Sequence, residues 1–301
     1  MKLLNKLIST GSTLFTKQFP DYSYGLIRRI GVDNIIRDEH WAEFESIVYS
    51  LNSEDLTRLL DGLCLTNKYD KQLKSYFSSE ESEVKRLTSG AHNLHLAWER
   101  RGNNVGSSLK GNQVDGFILY LEEAHHDLSE NFTNPVLNAE ASARLIRVYM
   151  GFSDTEAAYS AFLNATRSIP NHLLAHLNNF KVTSPKWLGG PETMQSFVNQ
   201  VANTQLRNLI RLMYLVEIYS DLFYSFSPTA YSKFKKHHGK SISEALATTI
   251  IPTDDSLLSI YIRNYLACLY QILGLRKELS AIKNQLKGQR TNYPWAYFGW
   301  V

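Results

Sequence analysis

Apolar residues recur at three- and four-residue spacing along nearly the whole of this 301-residue chain, and no alternating run of strand length interrupts them. A spacing of three to four puts apolar side chains on one face of a helix, whereas a spacing of two puts them on one face of a strand. The expected class is therefore all-α. The pattern predicts helices over 36–50, 54–65, 68–78, 81–100, 113–130, 137–150, 154–168, 171–180, 191–203, 205–224, 228–237, 241–249, 255–273 and 275–287. Ser53, Ser153 and Thr253 open stretches that offer a side-chain oxygen to the free amides of a first turn. Gly102, Gly151 and Gly274 follow periodic segments, where a residue without a Cβ can take the left-handed conformation that ends a helix.

One stretch says more than "helical". Residues 141–170, ASARLIRVYMGFSDTEAAYSAFLNATRSIP, read as helix, glycine-containing turn, helix, proline. Leu145, Tyr149, Ala158, Phe162, Ala165 and Pro170 stand at the offsets of a tetratricopeptide (TPR) unit, with Ser142 in place of the usual Trp and Ile146 in place of a small residue. The two alanines let the helices approach while Tyr149 and Phe162 fill the gap between them. Weaker echoes lie around Phe117, Leu121 and Ala124, and around Ala267, Tyr270 and Gly274. A single hairpin cannot bury its own face, so the expectation is a stack of TPR-like hairpins, an α-solenoid with a right-handed superhelical curve and a concave surface. The chain is taken as one all-α domain, with an N-terminal helical part over 1–80, a TPR-like core over 81–204, and C-terminal hairpins with an aromatic tail over 205–301.

Charge and cysteine content exclude more than they identify. With 32 basic and 29 acidic residues the balance is only +3, too even for a nucleic-acid binder defined by its overall charge. Cys64 and Cys268 lie far apart in apolar segments without a metal or redox spacing, which suits buried thiols in a reducing cytoplasm. Asn5 and Lys6 break the first apolar run short of an export signal, and Leu3, Leu4, Leu7 and Ile8 form an amphipathic turn expected to dock on the protein's own core. No run is long enough to insert in a membrane. The expectation is a cytoplasmic protein.

Several constellations can carry chemistry. His172 and His176 share a helical face, as zinc ligands do, but Leu173, Leu174 and Ala175 stand where a zinc protease needs its Glu. Asn171 is expected to cap that helix, with His172 in the first turn and His176 hydrogen-bonded across a helix interface. Glu122 with His125, and Glu123 with His126, have the spacing of di-iron bundles, yet no second such pair exists. These six residues are the metal candidates, and a solvated or packed helix face is the preferred reading of each. No nucleophile elbow or phosphate loop occurs, so no catalytic residue and no cofactor is assigned. Lys233–Lys240, with Tyr231 and Phe234, form a basic stretch suited to phosphate or single strands, read here as a charged helix end. The tail YPWAYFGWV is too apolar to hang free. It is expected to cap the array, with Trp295 and Trp300 as the alternative partner anchors.

The segment PKWLGGPETMQSFV, residues 185–198, together with AWERRG at 97–102 and the Ala-His pair at 175–176, resembles a bacterial family of TPR-like proteins with no established activity. That family carries a Trp-x-x-Arg-Gly segment and a downstream Lys/Arg-Trp-Gly-Gly-Ser segment followed by Met and Phe. The matching positions are Trp98, Arg101, Gly102, His176, Lys186, Trp187, Gly189, Gly190, Met194 and Phe197, while Leu188 is inserted and Pro191 replaces a more polar helix start. The resemblance spans roughly 90–200 and implies the fold and the importance of this joint, not a chemistry. Trp98, Arg101, His176, Lys186 and Trp187 are accordingly the binding candidates. The expected function is a non-enzymatic protein that binds another protein, such as a toxin it neutralises as an immunity protein or a secretion or defence component it serves as adaptor. The alternatives are a metal-dependent enzyme using His172 and His176 with the Glu122–His126 cluster, and nucleic-acid binding through Lys233–Lys240.

Overall fold

A computed structural model describes residues 21–102, 111–225, 228–286 and 288–300. The amphipathic turn at Leu3 to Ile8 and most of the 101–113 loop lie outside them. Every regular element among the described residues is helical. In chain order these are α1 (Leu26–Arg29), α2 (Val32–Arg37), α3 (Trp41–Ser50), α4 (Ser53–Cys64), α5 (Asp70–Phe77), α6 (Glu83–Arg101), α7 (Gly111–Ser129), α8 (Pro135–Phe152), α9 (Thr155–Ser168), α10 (Leu173–Val182), α11 (Pro191–Gln200), α12 (Thr204–Tyr224), α13 (Ala230–Thr248), α14 (Leu257–Leu273) and α15 (Arg276–Lys283). None of the described helices is long and apolar enough to cross a membrane.

Helices consecutive in the chain pack as pairs, α6 with α7, α8 with α9, α12 with α13 and α14 with α15, and α10 lies on both α8 and α9. The centre is α8. Asn134 accepts the amides of Val136 and Leu137, Pro135 supplies the first helical residue, and nearly every later position is buried, from Leu137 to Met150. A helix buried on nearly all sides belongs to the core, and its buried Glu140 and Arg144 therefore need partners. Ala158, Ala161 and Ala165 of α9 are buried, so that hairpin closes as its small residues predict. Tyr149 and Phe162 pack against the core that includes these alanines and reach further neighbours as well. Tyr149 meets His125 of α7, and Phe162 meets His176 of α10 and Phe197 of α11. These two rings join hairpins to one another.

Contacts also run far along the chain, since α4 packs on α6, α8, α10 and α14. Arg58 is 2 % exposed and donates to the carbonyls of Ser23, Tyr24 and Asp255 at 3.0–3.1 Å. Glu54 accepts the amide of Leu258 at 3.2 Å. A buried guanidinium satisfied by carbonyls ties the start of the described chain to the entrance of α14.

Local signals were displaced by a few residues where a neighbour competes. The caps of α4, α9 and α14 are Asn52, Asp154 and Ser256, not Ser53, Ser153 and Thr253. Ser153 instead ends α8 in the left-handed region, at φ 60°. Gly151 is therefore helical, and its role is packing: a Cβ there would sit 2.6 Å from Leu121 Cδ1 and 3.0 Å from Phe117 Cζ of α7. The expected break before Gly239 is absent. Phe234, Ile242 and Ala245 keep one buried stripe in register, so α13 runs straight through.

The aromatic tail folds back on α12 and α14. Trp295 and Phe298 are buried, Trp295 Nε1 donates to Asn264 Oδ1 at 2.8 Å, and Phe298 packs on Tyr219 and Phe223. Trp300 stacks on Phe298 at 4.4 Å.

Candidate cation and aromatic site

Two groups of charged side chains meet α8 three residues apart, and they are built on opposite principles. Around Arg144 the guanidinium and carboxylates are paired. Its guanidinium lies 2.7 Å from Glu140 Oε1 and 2.9 Å from Asp61 Oδ1, while Glu140 Oε2 accepts the Thr57 hydroxyl at 2.6 Å. His172 Nε2 stands 3.3 Å from the same oxygen, and its Nδ1 accepts the Ala175 amide, so His172 is itself the cap of α10 in place of Asn171. An accepting Nδ1 leaves the proton on Nε2, facing the carboxylate. Burial raises the Glu140 pKa, but Arg144 and His172 outweigh it and hold it below the usual carboxylate value. Burial pushes Asp61 up against the pull of Arg144, with Glu140 adding to the rise. This network is a buried structural joint between α4, α8 and α10.

Around Arg147 the charges stack on rings. Its guanidinium carbon lies 4.2 Å from the Trp98 ring centre. Arg101 lies 5.7 Å from that ring and 4.8 Å from Trp187, and the two indoles meet edge to face at 5.1 Å. Lys181 Nζ is 4.4 Å from the Tyr293 ring centre and donates to the Tyr297 hydroxyl at 3.3 Å. Lys186 Nζ lies 5.0 Å from the Tyr297 ring and pairs with Glu217 at 2.8 Å and Asp221 at 3.1 Å. Cations and aromatics thus alternate from Trp187 through Arg101 and Trp98 to Arg147, and again from Tyr293 through Lys181 and Tyr297 to Lys186, with Arg147 near enough to Lys181 for its charge to be felt there.

At one end of this row the charge is neutralised. Lys186 has two carboxylates, which outweigh its burial and raise its pKa. Neither Arg147 nor Lys181 has a carboxylate within ion-pair distance among the described residues. Burial lowers Arg147 to about 10, with Arg101 adding to the fall. Burial, then Arg147, lowers Lys181 to about 8, only partly offset by Glu217. The Trp98 indole Nε1–H is buried without an acceptor. The site is rich in donors and poor in acceptors.

The turn after α10 positions this row. Trp187, Leu188 and Gly189 donate their amides to Ser184, Val182 and Ser184 carbonyls, and the Thr193 hydroxyl accepts from Gly190 N at 2.7 Å. A Cβ on Gly189 would fall 2.2 Å from the Thr183 carbonyl oxygen, so the turn closes only around glycine. Met194 and Phe197, on one face of α11, are buried below it.

Of the expected binding residues, the structure gathers Trp98, Arg101, Lys186 and Trp187 in this one row. His176 lies elsewhere, 6 % exposed between Phe162 and Phe197, with Nδ1 3.0 Å from the His172 carbonyl in its own first turn and not across an interface. Burial lowers its pKa. Trp295 is core, and Trp300 is a half-buried lid on Phe298. His125 bonds Tyr149 at 3.1 Å, while Glu122, Glu123 and His126 are exposed. Among the described residues no three His, Cys, Asp or Glu side chains gather as metal ligands. On α13 Lys233, Lys235, Lys236, His237 and Lys240 are exposed, whereas Phe234 is buried. Sequence reasoning missed Arg147 and Lys181. Lys181 is the single Lys or Arg of α10, and that isolation was the available signal, whereas Arg147 shares α8 with Arg144 and nothing in the sequence separates the two.

Compared with the models of known protein families, with curated proteins and with solved structures, the chain matches none.

Proposed function

We propose that this chain is a non-enzymatic recognition protein whose TPR-like hairpins hold an anionic segment of a partner protein against the Trp98–Trp187 joint. The observation that carries this reading is the pair of half-buried cations, Arg147 and Lys181, left without a carboxylate beside exposed Lys186 and the two indoles. Charges kept from water are ordinarily paired, so an unpaired couple at a half-open, aromatic-lined place reads as half of an interface. Tryptophan and arginine are also the residues that most often carry binding energy. The TPR-like family resemblance fits a protein-binding role, and an immunity or adaptor task in a bacterial cytoplasm fits a cationic joint made for an acidic partner.

The test is titration of the full chain with an acidic peptide and an uncharged control of equal length, followed by tryptophan fluorescence because Trp98 and Trp187 report directly. Binding of the acidic peptide alone, weakened by salt and by Trp187→Ala or Lys186→Glu, is the expected result. Equal binding of both peptides, or a natural partner retained unchanged by Arg147→Glu, would overturn it.

A further inference from the structure

We infer that Arg147 and Lys181, walled by Trp98 and Tyr293, form a subsite for a phosphate monoester. This rests on the anionic-partner reading and specifies which anion. The argument is charge and hydrogen-bonding capacity. Glu217 and Asp221 are engaged by Lys186, so the deeper part of the row presents two cations with no negative group of its own. A carboxylate carries one charge and would leave one cation uncompensated. A phosphate monoester carries about −1.5 to −2 near neutral pH and offers three acceptor oxygens. Those oxygens match the donors here: the planar fork of Arg147, the point charge of Lys181, whose one side-chain hydrogen bond goes to the Tyr297 hydroxyl, and the neighbouring indole N–H of Trp98, buried without an acceptor among the described residues. The rings contribute as well. Arg147 and Lys181 are each held over an aromatic face at 4.2 and 4.4 Å, so both are pre-positioned, and the same rings can stack on an aromatic group that bears the phosphate.

Protonation of Lys181 sets the working range. The groups facing it are Arg147 on α8, Glu217 on α12, Lys186 on the turn, and Tyr293 and Tyr297 on the tail. Its pKa of about 8 means that the ammonium is present at neutral pH and lost on mild alkalinisation, when one of the two positive charges disappears. Affinity should therefore fall as pH rises through that value, whereas the phosphate's own second ionisation, with pKa near 6, is complete by then and strengthens binding only at lower pH.

The experiment is calorimetric titration of the full chain with phenyl phosphate, inorganic phosphate and benzoate. Phenyl phosphate is expected to bind at least about tenfold more tightly than benzoate near pH 7, a factor in keeping with the second charge. Lys181→Met and Arg147→Met should each lower that affinity about tenfold or more, Arg147→Lys should recover part of it, and Lys277→Met on the exposed face of α15 should leave it unchanged. Adenosine monophosphate and a phosphotyrosine peptide then separate a free nucleotide from a modified side chain as the source. Benzoate binding as tightly as phenyl phosphate, or affinity indifferent to both variants, overturns the phosphoryl subsite. If the acidic peptide still binds and is lost on Lys186→Glu while phenyl phosphate does not bind, the subsite falls and the partner-binding reading stands. If neither binds, both fall.

Discussion

Replacing Lys181 with Met should make the protein more stable at neutral pH. The folded chain lowers this amine from its ordinary 10.5 to about 8, chiefly by burial and by the nearby Arg147. Between those two values the unfolded chain keeps the proton that the folded chain has released, so stability rises with pH across the interval. Below about 8 the charged amine costs the folded state its full amount, and above the unfolded value the cost is gone. At ~1.4 kcal/mol per pKa unit the ceiling is roughly 3 kcal/mol. The substitution also loses the ring contact with Tyr293, about 0.5–1 kcal/mol, and the hydrogen bond to Tyr297, about 1 kcal/mol. A net gain of about 1–2 kcal/mol near neutral pH follows, and Met fills the volume without a polar group. The assay is urea unfolding of both proteins at neutral pH and at a pH above the unfolded lysine value, compared at equal slope. The gain should vanish in the alkaline pair. A Lys181→Met protein that is less stable at neutral pH, or one whose advantage persists in alkali, would refute the reasoning that Lys181 is held charged at a cost.

The paired network should respond in the opposite sense. Glu140→Gln is expected to lose about 3–5 kcal/mol in urea unfolding, because Arg144 would be left buried with less countercharge. Since the folded Glu140 value is held below 4.5, its contribution is present above that pH and is lost as acid passes the depressed folded value, and the Gln variant should lack that part of the acid slope. Gly189→Ala should cost about 2–3 kcal/mol and alter the near-ultraviolet dichroism of Trp187, because its Cβ would meet a carbonyl that cannot move aside. Gly190→Ala has open space and extended backbone, so a change within about 0.5 kcal/mol is expected there. Trp295→Phe removes one of the two donors to Asn264 Oδ1 and should cost about 1–2 kcal/mol by thermal unfolding.

The helices were legible because each carries its own apolar stripe, and the α8–α9 hairpin because Ala158 and Ala165 mark a close approach without reference to anything distant. Cap positions slipped by one to three residues since Ser, Asn and Asp stood together and only packing selects among them, as at Asn52 beside Ser53. Gly151 and Gly239 looked like stops because a sequence does not show that one glycine faces Leu121 and the other stays in a continuous helix. Half of the site was visible through Trp98, Arg101, Lys186 and Trp187, which lie in two recognisable segments. Arg147, Lys181, Tyr293 and Tyr297 were not, since they enter from α8, α10 and the tail, and only the fold brings the tail beside α10. The histidines attracted attention for their spacing, yet His172 is absorbed in capping and in the contact with Glu140, and His176 in aromatic packing.

The contrast along α8 is the strongest argument that the cationic row exists for a ligand. Arg144 and Arg147 are three residues apart on one helix, so backbone geometry alone does not explain their different company. The fold supplies Arg144 with Glu140, Asp61 and the surrounding hydrogen bonds, and it supplies Arg58 with three carbonyls. It supplies Arg147 with an indole face and Lys181 with a phenol ring and hydroxyl, which hold a cation in place without cancelling its charge. A protein core built only for stability has no use for two such residues, because apolar side chains of the same volume would pack there at lower cost. Retained charge without countercharge is the feature that supports the proposed anion site. The stability gained on removing Lys181 and the affinity lost with it are then two measurements of one design.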